Sequence, residues 1–351
     1  MFGKSVHIFL LLSFSACAFC SDFAVNVVED SGFSRNGFYD DPEAVLGKPT
    51  MWIYDDWEEK IYACSLVHAA FKTDPNYDNL ITTIEDGDYI IVEFDHKIAD
   101  DAGNPYGIDF LVFGNATFLG NGWVEPNTDL DTYFLQSPAN LIAELVLISV
   151  SQIPDANENE WFSFSNGPYG DTAFPTNAFA WDSNSGGWGA ELDWLRPVDP
   201  NLTLSYFNGL SAADAIALYD GSAGGTGFDL KWLEPNDFAN LSVDPNSGER
   251  WIRYIKVEFL AGSSYSGEID AFSDVAGCGD YNHPFPEGDV NGDCRIDIFD
   301  VALLSDYWLV QISEPNEPAN TADFHDDDVI DLKDLAIIFN SWQNCSWDCN
   351  R

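Results

Sequence analysis

Two stretches near the C-terminus carry the same acidic spacing. The first places Asp289, Asn291, Asp293, Asp297 and Asp300 at positions 1, 3, 5, 9 and 12 of a twelve-residue loop. The second places Asp323, His325, Asp327, Asp331 and Asp334 at the same positions. Oxygen donors at that spacing suit a calcium ion, which takes roughly six to eight oxygen ligands. Position 7 contributes only a backbone carbonyl, so Arg295 and Val329 there are compatible with a site. Behind each loop apolar residues follow at helical spacing: Val301, Leu304 and Trp308 in one copy, Leu335, Ile338 and Trp342 in the other. Each pair is offset by 34 residues (323 minus 289), the mark of a duplicated unit. Carboxylates gathered in this way repel until a cation joins them, so metal uptake and folding should be coupled.

The segments entering the loops argue against a helix on both sides. Pro284, Pro286 and Gly288 precede the first loop, and Pro315 and Pro318 precede the second. Proline removes helical donors and holds its predecessor extended. A loop followed by an exiting helix, twice in tandem over residues 289–343, resembles a type I dockerin. That resemblance implies Ca2+ sites at the twelve positions named above. It also implies a cohesin-like partner, or another cell-surface component, bound through the exiting helices. The chain departs from the pattern at position 6, where Cys294 and Asp328 replace the usual glycine of a left-handed turn. His325 offers nitrogen where calcium prefers oxygen, so the second site should be the weaker. At positions 10 and 11 the copies differ, Ile298–Phe299 against Leu332–Lys333, which argues against symmetric two-way docking. A structural calcium module that links domains without a cohesin is the alternative.

The larger part of the chain must fold around something else. Strands are expected at Ala24–Val28, Tyr89–Phe94, Ile108–Phe113, Leu145–Ser151, Trp161–Phe164, Leu202–Tyr206 and Ile252–Leu260. In the second of these, Ile90, Val92 and Phe94 form one face and Tyr89, Ile91 and Glu93 the other. In the last, Arg253, Ile255, Val257 and Phe259 oppose Ile252, Tyr254, Lys256 and Glu258. One helix is expected over Ala212–Tyr219, with Ser211 as its N-cap and Gly221 beyond. The long Trp181–Trp194 segment reads as a loop at a sandwich end.

Phrases such as Asp41–Pro49, Gly87–Asp95, Gly107–Phe113, Gly225–Leu230 and Glu268–Phe272 recur in this order in another family. They resemble a galactose-binding-like jelly roll found in secreted proteins of planctomycete-type bacteria. The expected architecture is therefore mainly β: an antiparallel β-sandwich of jelly-roll type, followed by a small all-α calcium-loop module. The expected boundaries are a signal peptide at 1–20, the sandwich at 21–276, a linker at 277–288, the module at 289–343 and a tail at 344–351.

Composition bounds the function. Lys4, the apolar run Ile8–Leu12 and the small residues Ser15, Ala16 and Ala18 read as an export signal. A lipoprotein reading through Phe14-Ser15-Ala16-Cys17 is the variant. No later apolar run reaches the ~20 residues that cross a bilayer. With 59 acidic against 14 basic residues, a formal charge of −45 repels nucleic acid and anionic membranes. Export permits disulfides. Pairing Cys278 with Cys294 and Cys345 with Cys349 leaves Cys64 free, although spacing alone does not fix the connectivity.

Nucleophile elbows, zinc helices and phosphate loops are all missing from the sequence. Gly224–Gly227 reads as a turn, and His68 and His96 as packing residues. Were the large region an enzyme, it would be a hydrolase of O-glycosyl bonds, which needs two facing carboxylates ~5–9 Å apart. Asp109, Glu144, Glu160, Asp182, Glu191, Asp229, Glu268 and Asp270 are candidates, and a structural role is the simpler reading of each. Asp109, Asp229 and Asp270 read first as strand-end hydrogen bonders, second as buried calcium ligands. The expectation is a secreted, non-catalytic, calcium-binding protein assembled through its module. A carbohydrate-binding module or glycoside hydrolase acting on polysaccharide is the alternative.

Overall fold

The computed structural model describes residues 21–32, 39–55, 58–71, 80–154, 156–157, 159–245, 247–275, 287–290, 296, 298–312, 322–325, 327–340 and 342. The first strands are β1 (Asn26–Asp30), β2 (Trp52–Asp55), β3 (Lys60–Ala63), β4 (Thr82–Ile84) and β5 (Tyr89–Ala99). Then come β6 (Phe110–Gly114), β7 (Thr117–Phe118), β8 (Leu141–Ile142), β9 (Val146–Ser151) and β10 (Phe162–Ser163). The last are β11 (Phe179–Asp182), β12 (Gly187–Glu191), β13 (Thr226–Phe228), β14 (Trp251–Phe259) and β15 (Gly267–Asp274). Short helices α1 (Ala212–Ala217) and α2 (Pro235–Asn240) interrupt them, and α3 (Ile298–Asp306) and α4 (Leu332–Asn340) follow.

Two antiparallel sheets dominate, in the orders β1-β5-β14-β9-β10 and β13-β6-β15-β4. Alternation explains why they stack. Ile90, Val92 and Phe94 of β5, Ile148 and Val150 of β9, and Ile255 and Val257 of β14 turn one apolar face inward. It meets Phe110 and Val112 of β6, Phe228 of β13, and Ile269 and Phe272 of β15 in one core. Phe110 stacks on Phe228 at 4.9 Å, with Phe164 edge-on to Phe228 at 4.9 Å. Each such ring contributes about 1.5–3 kcal/mol by leaving water.

The four-stranded sheet is buried on its other face as well. Leu111 and Phe113 of β6 and Ala271 of β15 pack against Ile53, Cys64, Phe179 and Trp194. Those residues belong to the β2–β3 and β11–β12 hairpins and the segment after them. This third layer explains why Phe110–Gly114 is buried at every position, without alternation. A further cluster packs Phe118, Tyr133, Phe207 and Tyr219 around α1.

Several sequence expectations are corrected. Leu202–Tyr206 forms no strand; a 3-10 turn occupies Leu204–Phe207. Trp181–Trp194 is largely the β11–β12 hairpin rather than a loop. In β14 the register slips between Ile252 and Tyr254, so Ile252 joins the buried face with Ile255 and Val257. The Ser211 side chain does cap α1, its hydroxyl accepting the Asp214 N–H at 3.0 Å. Gly224 and Gly225 form a turn with φ of 90° and 86°. A Cβ at Gly224 would meet the Pro175 carbonyl at 2.4 Å, so only glycine fits. Cys64 is free and buried, while Cys278, Cys294, Cys345 and Cys349 lie outside the described residues. So do the signal segment and most of the linker. Among the described residues, no helix is long and apolar enough to cross a membrane.

Candidate functional sites

The tail has its own small core. Val290, Ile296, Leu304, Ala322, Ile330 and Ile338 are buried together, and Ile296/Ile330 and Leu304/Ile338 repeat the 34-residue offset (330 minus 296, 338 minus 304). Helices α3 and α4 begin at Ile298 and Leu332, equivalent loop positions in the two copies. The copies are joined by short extended pairing, with Leu309 N–H donating to Ile330 O at 2.9 Å and Ile330 N–H to Val310 O at 3.2 Å.

In the second loop, Asp328 at position 6 takes φ +63°, the left-handed turn that the position requires. Asp323 accepts the N–H groups of Asp327 (3.3 Å) and Asp328 (2.9 Å). Asp334 is fully buried and accepts from His325 N–H (3.0 Å) and Asp331 N–H (2.9 Å). Asp331 accepts the Lys333 N–H at 2.7 Å, and the Lys333 ammonium pairs with Oδ2 of Asp327. Oδ1 of Asp327 is buried without a hydrogen-bond partner among the described residues. A buried anionic oxygen lacking a donor is costly, and a hard cation at that point would compensate it. The donor set therefore fits calcium: carboxylate oxygens of Asp323, Asp327, Asp331 and Asp334 with the Val329 carbonyl. In the first loop, Asp300 is fully buried and accepts the Val290 N–H at 2.9 Å. Asp289 is buried too, whereas Asn291, Asp293, Arg295 and Asp297 lie outside the described residues.

The structure sorts the eight carboxylates singled out in the large region. Asp182 holds the β11–β12 turn by accepting the Asn184 N–H at 3.0 Å. Glu160 accepts the Asn157 N–H at 3.0 Å. Glu191 accepts the Trp194 indole N–H at 2.6 Å and pairs with Lys48. Asp270 accepts both the N–H (2.9 Å) and the hydroxyl (2.8 Å) of Thr50; burial raises its pKa to about 7. Asp109 accepts from Leu230 N–H (2.8 Å) and the Asn104 amide (3.3 Å), and burial pushes it up to about 8. Asp229 accepts the Lys231 N–H at 2.7 Å. Oxygens of Asp109, Asp229 and Asp100 lie within 4.8 Å of one another. The Lys231 ammonium pairs with Asp100, so this cluster carries its own cation. Spacing gave no hint of Asp100, which a turn of chain brings to the other two.

Glu144 and Glu268 come together. Both line a cleft of about 1000 Å³ bounded by the β3 end, the segment after β6 and the approach to β9. Glu268 projects from β15, where its Oε1 accepts the Thr83 hydroxyl at 3.4 Å and its Oε2 the Asn115 amide. Burial, then repulsion from Glu144, raises Glu268 to about 7; burial also raises Glu144. Beneath them lies Asp171, with φ +60° and 3 % exposed. Its carboxylate accepts the N–H groups of Ala116 (2.9 Å) and Glu144 (3.1 Å), tying the two cleft walls together. Gly114 leaves room for it, since a Cβ there would meet Asp171 Oδ1 at 2.3 Å. Trp123 stands at the cleft with 95 % of its surface exposed. His68 stacks on Tyr62 at 4.1 Å, and burial lowers its pKa. Within the Trp181–Trp194 segment, Trp194 is buried, and Trp181 and Trp188 pack edge-to-face at 5.4 Å.

Residues 287–341 match the dockerin type I domain. No curated protein and no solved structure matches the chain. Dockerin type I domains bind calcium and cohesins, and they occur in extracellular or cell-surface proteins.

Proposed function

We propose that this is a secreted protein whose C-terminal module takes up two calcium ions and docks it onto a cohesin-like or cell-surface partner. The dockerin match over both acidic loops carries the reading. The first ion would be held by Asp289, Asn291, Asp293, Asp297 and Asp300 with the Arg295 carbonyl. The second would be held by Asp323, Asp327, Asp331 and Asp334 with the Val329 carbonyl, beside His325. Calcium supplies the positive charge that lets these carboxylates share one loop. The chain's own contribution is positional: Asp300 and Asp334, each fully buried, fasten a loop to the first turn of α3 or α4.

Apolar side chains at equivalent positions then face solvent. Ile298 is 62 % and Leu332 70 % exposed, with Phe339 at 56 % on α4. Such surface favours burial against a partner. The two-sheet core of the large region supports its reading as a galactose-binding-like jelly roll of the planctomycete-type secreted kind, carried as cargo. The pattern of Lys4, Ile8–Leu12 and Ala18 supports export. Circular dichroism and limited proteolysis of the full chain, with calcium and with EDTA, test the proposal. Chelation is expected to expose residues 289–343 to cleavage while the sandwich resists. A module indifferent to EDTA would overturn it.

A further inference from the structure

We propose that the cleft between Glu144, Glu268 and Trp123 is a binding site for a neutral polysaccharide, independent of the calcium module. Glu144 and Glu268 sit 124 residues apart (268 minus 144) yet line the same cleft. Asn115, which also lines it, donates its amide N–H to Glu268. Gln136 adds a second amide. Carboxyls and amides side by side offer both donors and acceptors, which is what sugar hydroxyls require. The indole of Trp123 supplies the complementary apolar face on which a sugar ring stacks. An indole left almost wholly in water contributes nothing to the fold around it.

The chief rival occupant is an organic cation, and the charge distribution disfavours it. Of the cleft's outer carboxylates, Glu58 and Glu125 share the Lys60 ammonium, and Asp55 accepts the Glu58 N–H at 3.2 Å. Burial opposes the ionisation of both inner carboxyls, and Glu144 further opposes that of Glu268. A cation site needs committed negative charge; a hydroxyl site does not. Asp171 fastens Glu144 to Ala116 through their backbone amides, which holds this part of the cleft in place without a ligand.

Native affinity electrophoresis of the full chain tests this, in gels containing xyloglucan, laminarin or galactomannan, run with EDTA and, in parallel, with calcium. At least one polymer is expected to retard the wild type. Trp123→Ala should weaken that binding about tenfold, as loss of one stacking face would. Glu268→Gln should change it while leaving the circular dichroism spectrum intact. No retardation in any gel, or equal retardation of both variants and wild type, would overturn the proposal. So would saturable spermine uptake without polysaccharide binding. Retardation seen only with calcium would overturn it too, by assigning the polymer to the module. Because EDTA disables the calcium loops, failure here leaves the docking proposal standing, and the reverse holds.

Discussion

The backbone N–H of Glu144 donates to Oδ2 of Asp171 at 3.1 Å, while Oδ1 of the same carboxylate accepts the N–H of Ala116 at 2.9 Å. One buried side chain thus closes off the end of the β7–β8 pair, where Thr117 lies opposite Ile142. Asp171→Asn keeps the shape but leaves a single accepting oxygen for two donors. The expected cost is about 1–3 kcal/mol, the range for stranding a buried amide. Urea unfolding should show a lower midpoint with an unchanged slope.

The floor of the cleft makes a second prediction. Gly114→Ala would drive a methyl group into Asp171 Oδ1, at 2.3 Å, and the Glu268 carbonyl, at 2.8 Å. Backbone cannot yield as a flexible side chain can. Overpacking of this kind costs about 1–3 kcal/mol, readable as a lowered melting temperature. Gly122→Ala serves as the control, because nothing lies within 4 Å of its added Cβ.

Stability should rise as the solution is acidified from pH 8 towards pH 5. Asp109, Asp270 and Glu268 stand at about 8, 7 and 7 in the folded chain, each raised first by burial above ordinary values of 3.8, 3.8 and 4.5. The fold therefore holds more protons than the unfolded chain between these limits. The stability they confer is complete below about pH 4 and is lost as pH climbs through 7 to 8. His96 acts in the same direction. Burial opposes its charge, but Asp274 and then Asp95 hold it at about 9, so its contribution is full below its ordinary value of 6.5 and fades as pH climbs to about 9. Calorimetric melting of the sandwich with EDTA present, at pH 5, 6.5 and 8, is the measurement. A melting temperature that climbs with pH would contradict this reading.

Single substitutions should separate the two calcium loops. Asp300→Ala is expected to remove one calcium per chain and Asp334→Ala the other, halving the stoichiometry in isothermal titration. In Asp334→Ala the amides of His325 and Asp331 also lose their acceptor. Its apo module should therefore be less protected than that of the wild type in hydrogen exchange. Two ions bound by either variant would count against these ligand sets.

What the sequence disclosed followed from locality. Period-two alternation in β5, the cap at Ser211 and the repeated spacing in the tail each depend on neighbours within a few residues. The paired layers, the Ile252 slip and the Glu144–Glu268 pairing depend on chain brought from afar. Phe110–Gly114 has no polar alternation to reveal which side is covered, because both are. Leu202–Tyr206 looked extended by composition, yet the turn wins because Phe207 is held by Phe118 and Tyr219. Eight carboxylates looked alike in sequence; hydrogen-bond partners alone separate the turn holders from the cleft pair.

The doubly covered strand has a bearing on how the molecule is made. An unfolded chain presents Phe110, Leu111, Val112 and Phe113 in succession, and neither flank of that ribbon tolerates water. Closing the two large sheets quenches only half of its stickiness; Leu111 and Phe113 stay adhesive until the hairpins close over them. Lesions in those hairpins, such as Ile53→Asp, should therefore surface as clumping rather than as a weakened but dispersed protein.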